Sequence, residues 1–153
     1  MLNPDYRDML SALNAEGVEY LLVGGYALAA HGLPRATGDL DIWVCPSPEN
    51  ARRTWRALAE FGAPLDQVTE DDFATEGLIF QIGVVPCRID IITSLEALSF
   101  ADAWSNRIRV EIEGIEIPVL GRDDFIRNKR IAGRPQDLAD IARLEEDKRK
   151  REG

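Results

Sequence analysis

The segment over residues 20–44 constrains the fold of this chain more than any other part of it. A short apolar run, predicted as a strand, ends in the paired glycines Gly24 and Gly25, and a helix rich in Ala and Leu is predicted over residues 26–31. An Asp-Leu-Asp sequence then opens a second predicted strand over residues 40–44. The sequence therefore places a glycine turn and a pair of carboxylates at the ends of two strands.

The rest of the chain alternates short predicted helices and strands. Strands are predicted over residues 20–23, 40–44, 78–82, 88–92, 109–113 and 115–119, and the last four are expected to form two hairpins. Helices are predicted over residues 4–15, 26–31, 47–62, 123–132 and 136–149. Because the elements mix without strict strand-helix-strand repetition, we expect an α+β fold with a mixed β-sheet and helices packed on it. Residues 1–153 are expected to form a single domain whose C-terminal helices begin at about residue 122.

The charge composition limits the classes of function. With 27 acidic and 18 basic residues, the net charge is -9, and such a chain is not expected to coat nucleic acid, which requires Lys and Arg to neutralise phosphates. The sequence contains no apolar run of the roughly 20 residues that a membrane span needs and no basic, apolar leader, so we expect a cytoplasmic protein. Cys45 and Cys87 cannot form a disulfide scaffold and are predicted to be buried thiols. A polyanionic substrate would need a local basic patch or metal ions.

Three aspartates carry the chemistry that the sequence indicates. Asp39 and Asp41 are two residues apart at the head of a predicted strand, so both carboxylates point to one face of the sheet. Asp90 lies in a later strand whose neighbours Ile89 and Ile91 are expected to face the core. If the two strands are adjacent, three carboxylates converge, and they repel one another unless divalent cations such as Mg²⁺ bridge them. Two bound metals could stabilise the attacking and leaving oxygens of a phosphoryl displacement.

Two other features favour binding of phosphate. Gly24 and Gly25 stand at a helix start, where a phosphate can approach backbone N–H groups that have no partner inside the helix, although paired glycines commonly form only a tight turn. Residues 122–134 contain five basic and two acidic residues, a local charge of +3 in an acidic protein. The sequence therefore predicts an anion site formed by the glycine turn and the C-terminal helices.

These motifs resemble those of the nucleotidyltransferase superfamily with the DNA polymerase β-like fold, which combines a Gly-Gly or Gly-Ser turn, an Asp-x-Asp and a distal Asp. The run from Lys129 to Asp140 is similar to the C-terminal Lys and Arg-x-x-Asp signature of small bacterial nucleotidyltransferases that include abortive-infection toxins. The resemblance covers residues 20–144. One departure is Gly25, which stands where a serine is common and leaves phosphate binding to the backbone.

The resemblance implies an enzyme that transfers a nucleoside monophosphate from an NTP to an acceptor hydroxyl and releases pyrophosphate. It implies that Asp39, Asp41 and Asp90 are the catalytic residues and bind two Mg²⁺ ions, or Mn²⁺. Asp90 and one metal would activate the acceptor, while Asp39, Asp41 and the other metal would hold the triphosphate. The predicted nucleotide-binding residues are Gly24 and Gly25 under the triphosphate, Arg35 as a bidentate donor four residues before the acidic pair, and Lys129 and Arg134 as cations from the C-terminal helices.

Several alternatives stay open at this point. Arg35 could form an ordinary ion pair with the acidic motif, and Lys129 and Arg134 could pair with Asp137 or Asp140. His31 is expected to pack or cap a helix rather than act as a general base.

Within that superfamily the acceptor can be an RNA end, a protein side chain or a small molecule. The resemblance to abortive-infection proteins favours an RNA end or a protein side chain, in a toxin–antitoxin or phage-defence setting with a cognate antitoxin or toxin as partner. The alternative is a catalytically silent nucleotide-binding or antitoxin-like interaction protein that uses the same fold.

Overall fold

The computed structural model describes residues 2–33, 38–84 and 86–152, which form a six-stranded mixed sheet with helices packed on it. The predicted α+β fold is confirmed. The strands are β1 (Tyr20–Val23), β2 (Leu40–Val44), β3 (Ile79–Ile82), β4 (Ile89–Ile92), β5 (Ile108–Ile112) and β6 (Ile115–Val119). The helices are α1 (Pro4–Ala15), α2 (Gly24–Ala30), α3 (Pro48–Phe61), α4 (Phe100–Ser105), α5 (Arg122–Ala132) and α6 (Pro135–Glu152), with a 3₁₀ helix at Glu70–Ala74.

The order of the strands decides which side chains meet. The sheet runs β3-β4-β2-β1-β6-β5. Both predicted hairpins are confirmed, because β3 pairs with β4 and β5 pairs with β6 in antiparallel orientation. Strand β2 is antiparallel to β1 on one side and parallel to β4 on the other. The two acidic strands are therefore neighbours near the middle of the sheet.

Local sequence explains where helices α1 and α3 begin and where α3 ends. The side chain of Asn3 caps α1 by accepting a hydrogen bond from the Asp5 backbone N–H at 2.8 Å. The Ser47 side chain caps α3 in the same way, and Gly62 ends that helix with a φ of 94°, which a residue with a side chain rarely adopts. The apolar faces of these helices join the sheet residues in one core, in which Trp43 is 1% exposed.

The structure differs from the sequence predictions in several places. Helix α2 begins at Gly24 rather than at residue 26, so both glycines form part of its first turn. Helix α4 and the 3₁₀ helix were not predicted, since each is too short to show a hydrophobic period.

The prediction of buried thiols is wrong: Cys45 is half-buried, and Cys87 is exposed in the turn before β4. In the described ranges, every helix is too short or too polar to cross a bilayer.

Candidate active site

Two of the three predicted carboxylates lie side by side on neighbouring strands. Asp41 in β2 is directly opposite Asp90 in β4 in the parallel register, and adjacent strands lie about 4.8 Å apart. Ile89 and Ile91 face the core as expected, with exposures of 2% and 0%. Asp39 immediately precedes β2, where the backbone N–H of the next residue, Leu40, bonds to the Arg88 carbonyl at 2.9 Å. The fold thus gathers Asp39, Asp41 and Asp90 at one point on the sheet.

Burial and negative neighbours change the acidity of this cluster. Desolvation is the largest effect on Asp41, and with the charges of Asp90 and Asp39 it raises the pKa of Asp41 to about 7. A hydrogen bond between the Asp41 and Asp90 side chains acts in the same direction. Two carboxylates can share such a bond only while one of them holds a proton. Without a cation, the pair therefore retains a proton at pH values where an ordinary aspartate has lost it.

The raised pKa of Asp41 predicts an unusual dependence of stability on pH. Without divalent cations, folded Asp41 holds a proton between the unfolded value of about 4 and its folded value of about 7, so the free energy of unfolding falls as pH rises through this window. We expect Asp41→Asn to flatten this slope, because the amide does not titrate. Urea unfolding in EDTA at pH 4, 5.5 and 7 measures the slopes; equal slopes in the two proteins would contradict the prediction.

Arg88 ties the carboxylates together in the structure. Its Nη2 donates to Asp39 Oδ2 at 3.0 Å, while its Nε and Nη2 donate to the two carboxylate oxygens of Asp90 at 2.8 and 3.2 Å. No role for Arg88 follows from the sequence motifs. A signal was present, because Arg88 lies two residues before Asp90, and residues at this spacing in a strand share a face.

Gly24 brings the backbone of α2 against the carboxylate of Asp41. Its φ is +74°, and a Cβ built on it would lie 2.1 Å from Asp41 Oδ2 and 2.9 Å from Asp41 Cγ. A side chain at this position would therefore meet both backbone strain and a steric clash. Gly24 is needed at this position because only a residue without a Cβ lets Asp41 lie against the helix start.

A cavity of about 290 Å³ opens between this helix start and the C-terminal helices. Five of the predicted site residues line it: Gly24, Gly25, Asp41, Lys129 and Arg134. Asp39 and Asp90 lie beside Asp41 but outside the lining. Arg35 lies outside the described residues, so its role stays a prediction. One cavity thus joins the glycine turn and a carboxylate to two cationic side chains that lie more than 80 residues further along the sequence.

The two cations in the cavity are held by acids of α6. Lys129 Nζ lies 2.9 Å from Asp140 Oδ2 and 3.4 Å from Asp137 Oδ1, and all three side chains are buried. Arg134 Nε lies 2.6 Å from Asp137 Oδ2 at an exposed position. The hydrogen bond from the Arg134 side chain is the main reason why the pKa of Asp137 is lowered. Lys129 and Arg134 therefore form ion pairs with α6 and also line the cavity, and Asp137 and Asp140 orient these two cations.

Removal of the Lys129 charge is expected to destabilise the fold strongly. In Lys129→Met, Asp137 and Asp140 would stay buried without their shared cation, which typically costs about 3 kcal/mol or more. The matched control is Lys148→Met, which removes a more exposed pair with Asp123 and is expected to cost less than about 1 kcal/mol. Urea unfolding at pH 7 measures both; similar losses in the two variants would show that the buried cluster contributes little.

The basic segment is less positive in the structure than in the sequence. Arg122 pairs with Asp147 of α6 at 2.8 Å, and Arg130 pairs with Glu145 at 2.9 Å. The charge of +3 counted over residues 122–134 is thus largely compensated by the helix that follows. A larger cavity of about 520 Å³ lies at the start of α5 and includes Arg122 and Lys148, but it contains neither the glycine turn nor Asp41.

The side chains of Tyr6 and His31 bond to backbone carbonyls of segments near the site. The Tyr6 hydroxyl donates to the Gly38 carbonyl and lies 3.3 Å from the Arg88 carbonyl, so α1 holds the two segments that lead into β2 and β4. Burial is the main reason why the pKa of Tyr6 rises to about 12, which keeps this donor protonated. His31 is 4% exposed at the end of α2, and its Nε2 lies 2.7 Å from the Leu120 carbonyl, as a packing and capping role requires.

The chemistry of the donor set suits a divalent cation. Three carboxylates lie close together beside the ion-paired Arg88, and burial, followed by the negative charges of Asp90 and Asp39, raises the pKa of Asp41. Carboxylate oxygens are the protein ligands that Mg²⁺ prefers. Among residues 2–33, 38–84 and 86–152, no group of three or more His, Cys, Asp or Glu side chains is already arranged to hold a metal ion. Asp39 and Asp90 instead bond to Arg88.

Comparison of the sequence with known protein families assigns the chain to a family. A family described as "Nucleotidyltransferase of unknown function (DUF6036)" matches residues 4–146. The chain belongs to this family of nucleotidyltransferases, which agrees with the resemblance to the polymerase β-like superfamily. No curated protein sequence matches the chain at a significant level.

Solved structures support the same fold. A candidate nucleotidyltransferase from Thermotoga maritima is 20% identical, with a TM-score of 0.59, over 99% of this chain and 94% of that one. The antibiotic-resistance factor ANT(2'')-Ia in solution is 15% identical, with a TM-score of 0.56, over 92% of this chain and 80% of that one. A crystal structure of ANT(2'')-Ia with adenylyl-2''-tobramycin is 17% identical, with a TM-score of 0.55, over 91% of this chain and 84% of that one.

Proposed function

We propose that this protein uses divalent cations to transfer a nucleoside monophosphate from an NTP to an acceptor hydroxyl, with release of pyrophosphate. One observation carries the proposal. Asp41 faces Asp90 across two parallel strands and also lies against Gly24, at the edge of a cavity that Lys129 and Arg134 line. A carboxylate cluster beside a helix start and two cations is suited to a substrate with a chain of phosphates.

The glycine turn and the two cations of the cavity would bind the triphosphate. Gly24 and Gly25 present the first turn of α2 to the triphosphate, and the positive end of a helix favours an anion there. Arg134 is 75% exposed at the cavity and can add charge to the phosphates while Asp137 orients it. Lys129 is buried, so its ammonium acts as a fixed positive charge in the cavity wall.

The acidic residues would act at the reacting end of the nucleotide. Asp39, Asp41 and Asp90 would hold the cations, Mg²⁺ or Mn²⁺, through their carboxylate oxygens. Such cations neutralise the charge of the triphosphate and lower the pKa of an acceptor hydroxyl. Asp90 is placed on the strand next to Asp41, so it can hold the acceptor side while Asp39 and Asp41 hold the nucleotide side.

For the acceptor we propose three classes: an RNA end, a protein side chain and a small polyhydroxylated molecule. The first two belong to a cytoplasmic toxin–antitoxin or phage-defence role with a cognate partner protein. The third is suggested by ANT(2'')-Ia, whose structure contains an adenylylated tobramycin. The net charge of -9 disfavours broad contact with a long RNA, so an RNA acceptor would have to dock through a small area.

The test is transfer of label from NTPs. The protein is incubated with each α-labelled NTP, Mg²⁺ and one of three acceptor pools: total RNA, total protein or a panel of aminoglycosides. We expect one pool to acquire label in step with pyrophosphate release and EDTA to stop the reaction.

The same assay distinguishes catalysis from a second candidate function, binding without catalysis. Arg88 already occupies oxygens of Asp39 and Asp90, which is compatible with a silent nucleotide-binding or antitoxin-like protein. That protein would bind nucleotide or a partner protein but would release no pyrophosphate with any pool, and this result would reject the catalytic proposal.

A further inference from the structure

We propose that Arg88 is a built-in counter-cation of the acidic cluster: it holds Asp39 and Asp90 together when no metal is bound and competes with divalent cations for the same oxygens. Arg88 is thereby a positioning residue that sets the metal affinity of the site. The inference rests on the proposed metal-dependent function and adds a determinant of its metal requirement.

The contacts of Arg88 occupy the ligand atoms of the cluster. One oxygen of Asp39 and both oxygens of Asp90 accept hydrogen bonds from its guanidinium at 2.8 to 3.2 Å. Each of these three oxygens accepts one charge-assisted bond, and the positive guanidinium beside them repels a divalent cation. Coordination by both oxygens of Asp90 and by Asp39 Oδ2 therefore requires the guanidinium to withdraw.

The surroundings of Arg88 allow it to withdraw. Its side chain is 28% exposed, while that of Asp90 is only 12% exposed, so the cation can move to solvent and the carboxylate cannot. The bonds to the carboxylates come from the Arg88 side chain, whereas its backbone carbonyl accepts from the Leu40 N–H, so withdrawal of the side chain leaves the pairing of β2 with β4 intact.

Arg88 also differs from the other cations near the site. In the described part of the chain, Lys129 and Arg134 are paired with acids of α6, and the ion pairs of Asp39 and Asp90 are made with Arg88. The arginine is thus an ion-paired cation that both carboxylates share. Its removal should leave more uncompensated negative charge for a divalent cation to bind.

The test compares metal affinity in variants of Arg88. Arg88→Gln removes the charge, and Arg88→Lys keeps the charge but cannot form the planar fork to two carboxylates. The matched control is Arg53→Gln, which removes the same charge from an exposed pair with Glu49 on α3. Mn²⁺ binding without nucleotide is followed by electron paramagnetic resonance, and the rise in Tm between EDTA and Mn²⁺ is measured for each folded variant.

We expect Arg88→Gln to bind Mn²⁺ about tenfold more tightly than the wild type, Arg88→Lys to bind with intermediate affinity, and Arg53→Gln to match the wild type. Arg88→Gln should also have a lower Tm in EDTA and a larger rise with Mn²⁺, because binding to the folded state stabilises it by mass action.

Equal or weaker Mn²⁺ binding in Arg88→Gln would overturn the role of Arg88. If Asp41→Asn then still abolished binding, the metal site of the proposed function would stand without it. Absence of Mn²⁺ binding in the wild type and in every variant would overturn both the metal site and the role of Arg88. The two failures are therefore distinguishable.

Discussion

Transfer of label from an NTP should fall by more than about 10³-fold in the double variant Asp39→Asn, Asp41→Asn. The substitutions keep the size of the side chains but remove two of the three charges that would hold divalent cations beside the triphosphate, so the charge that develops during transfer would lose its main stabilisation. The measurement is the initial rate with α-labelled NTP, Mg²⁺ and whichever acceptor pool the wild type labels.

The matched control for this variant is Asp66→Asn. Asp66 is exposed in the segment after α3, so the change alters a carboxylate outside the cluster and should leave the rate within about twofold. The double variant should also stay folded, because it replaces the Asp41 carboxyl, whose charged form is disfavoured by burial, and removes the neighbouring negative charge of Asp39. A double variant that transfers label at the wild-type rate would remove Asp39 and Asp41 from the reaction.

Gly24→Ala is expected to have the second largest effect. The new Cβ would lie 2.1 Å from Asp41 Oδ2, so either the carboxylate or the start of α2 must move. A displacement of about 1 Å in a reacting group can lower a rate by roughly 10²-fold, and the left-handed backbone adds about 1 to 2 kcal/mol of destabilisation. We therefore expect a loss of transfer together with a lower midpoint of urea unfolding.

Gly17→Ala separates these two causes. Gly17 has a similar φ of +68°, but a Cβ at this position meets no atom within 4 Å. It should lose about the same 1 to 2 kcal/mol through backbone strain and keep the wild-type rate at a temperature where both variants are folded. If both variants lost activity to the same extent, the contact of Gly24 with Asp41 would have no special importance.

The alternation of side chains along each strand made much of this site predictable. Ile89 and Ile91 identified the buried face of β4, and therefore the face that carries Asp90, because side chains alternate along a strand. The same rule placed Asp39 and Asp41 on one face. The neighbour relation between β2 and β4 could be stated only as a condition, since periodicity specifies a face and not the adjacent strand.

The remaining features depend on contacts between distant parts of the chain. The charge count over residues 122–134 missed the acids of α6, which compensate Arg122 and Arg130 across a helix pair. The paired glycines alone indicate phosphate binding or a tight turn, whereas the close approach of Gly24 to Asp41 is visible only when β2 lies against α2. Such contacts follow from tertiary packing and leave no local pattern in the sequence.

The location of bound nucleotide tests whether the cavity beside Gly24 and Asp41 is the nucleotide site. Backbone resonances of the 17.1 kDa protein can be followed during titration with a non-hydrolysable NTP analogue and Mg²⁺. We expect the largest shifts at Gly24, Gly25, Asp41 and Arg134, around the cavity of about 290 Å³, and none of these shifts in the Asp39→Asn, Asp41→Asn variant. Shifts confined to the larger cavity near Arg122, or shifts at the predicted residues that persist in the variant, would contradict it.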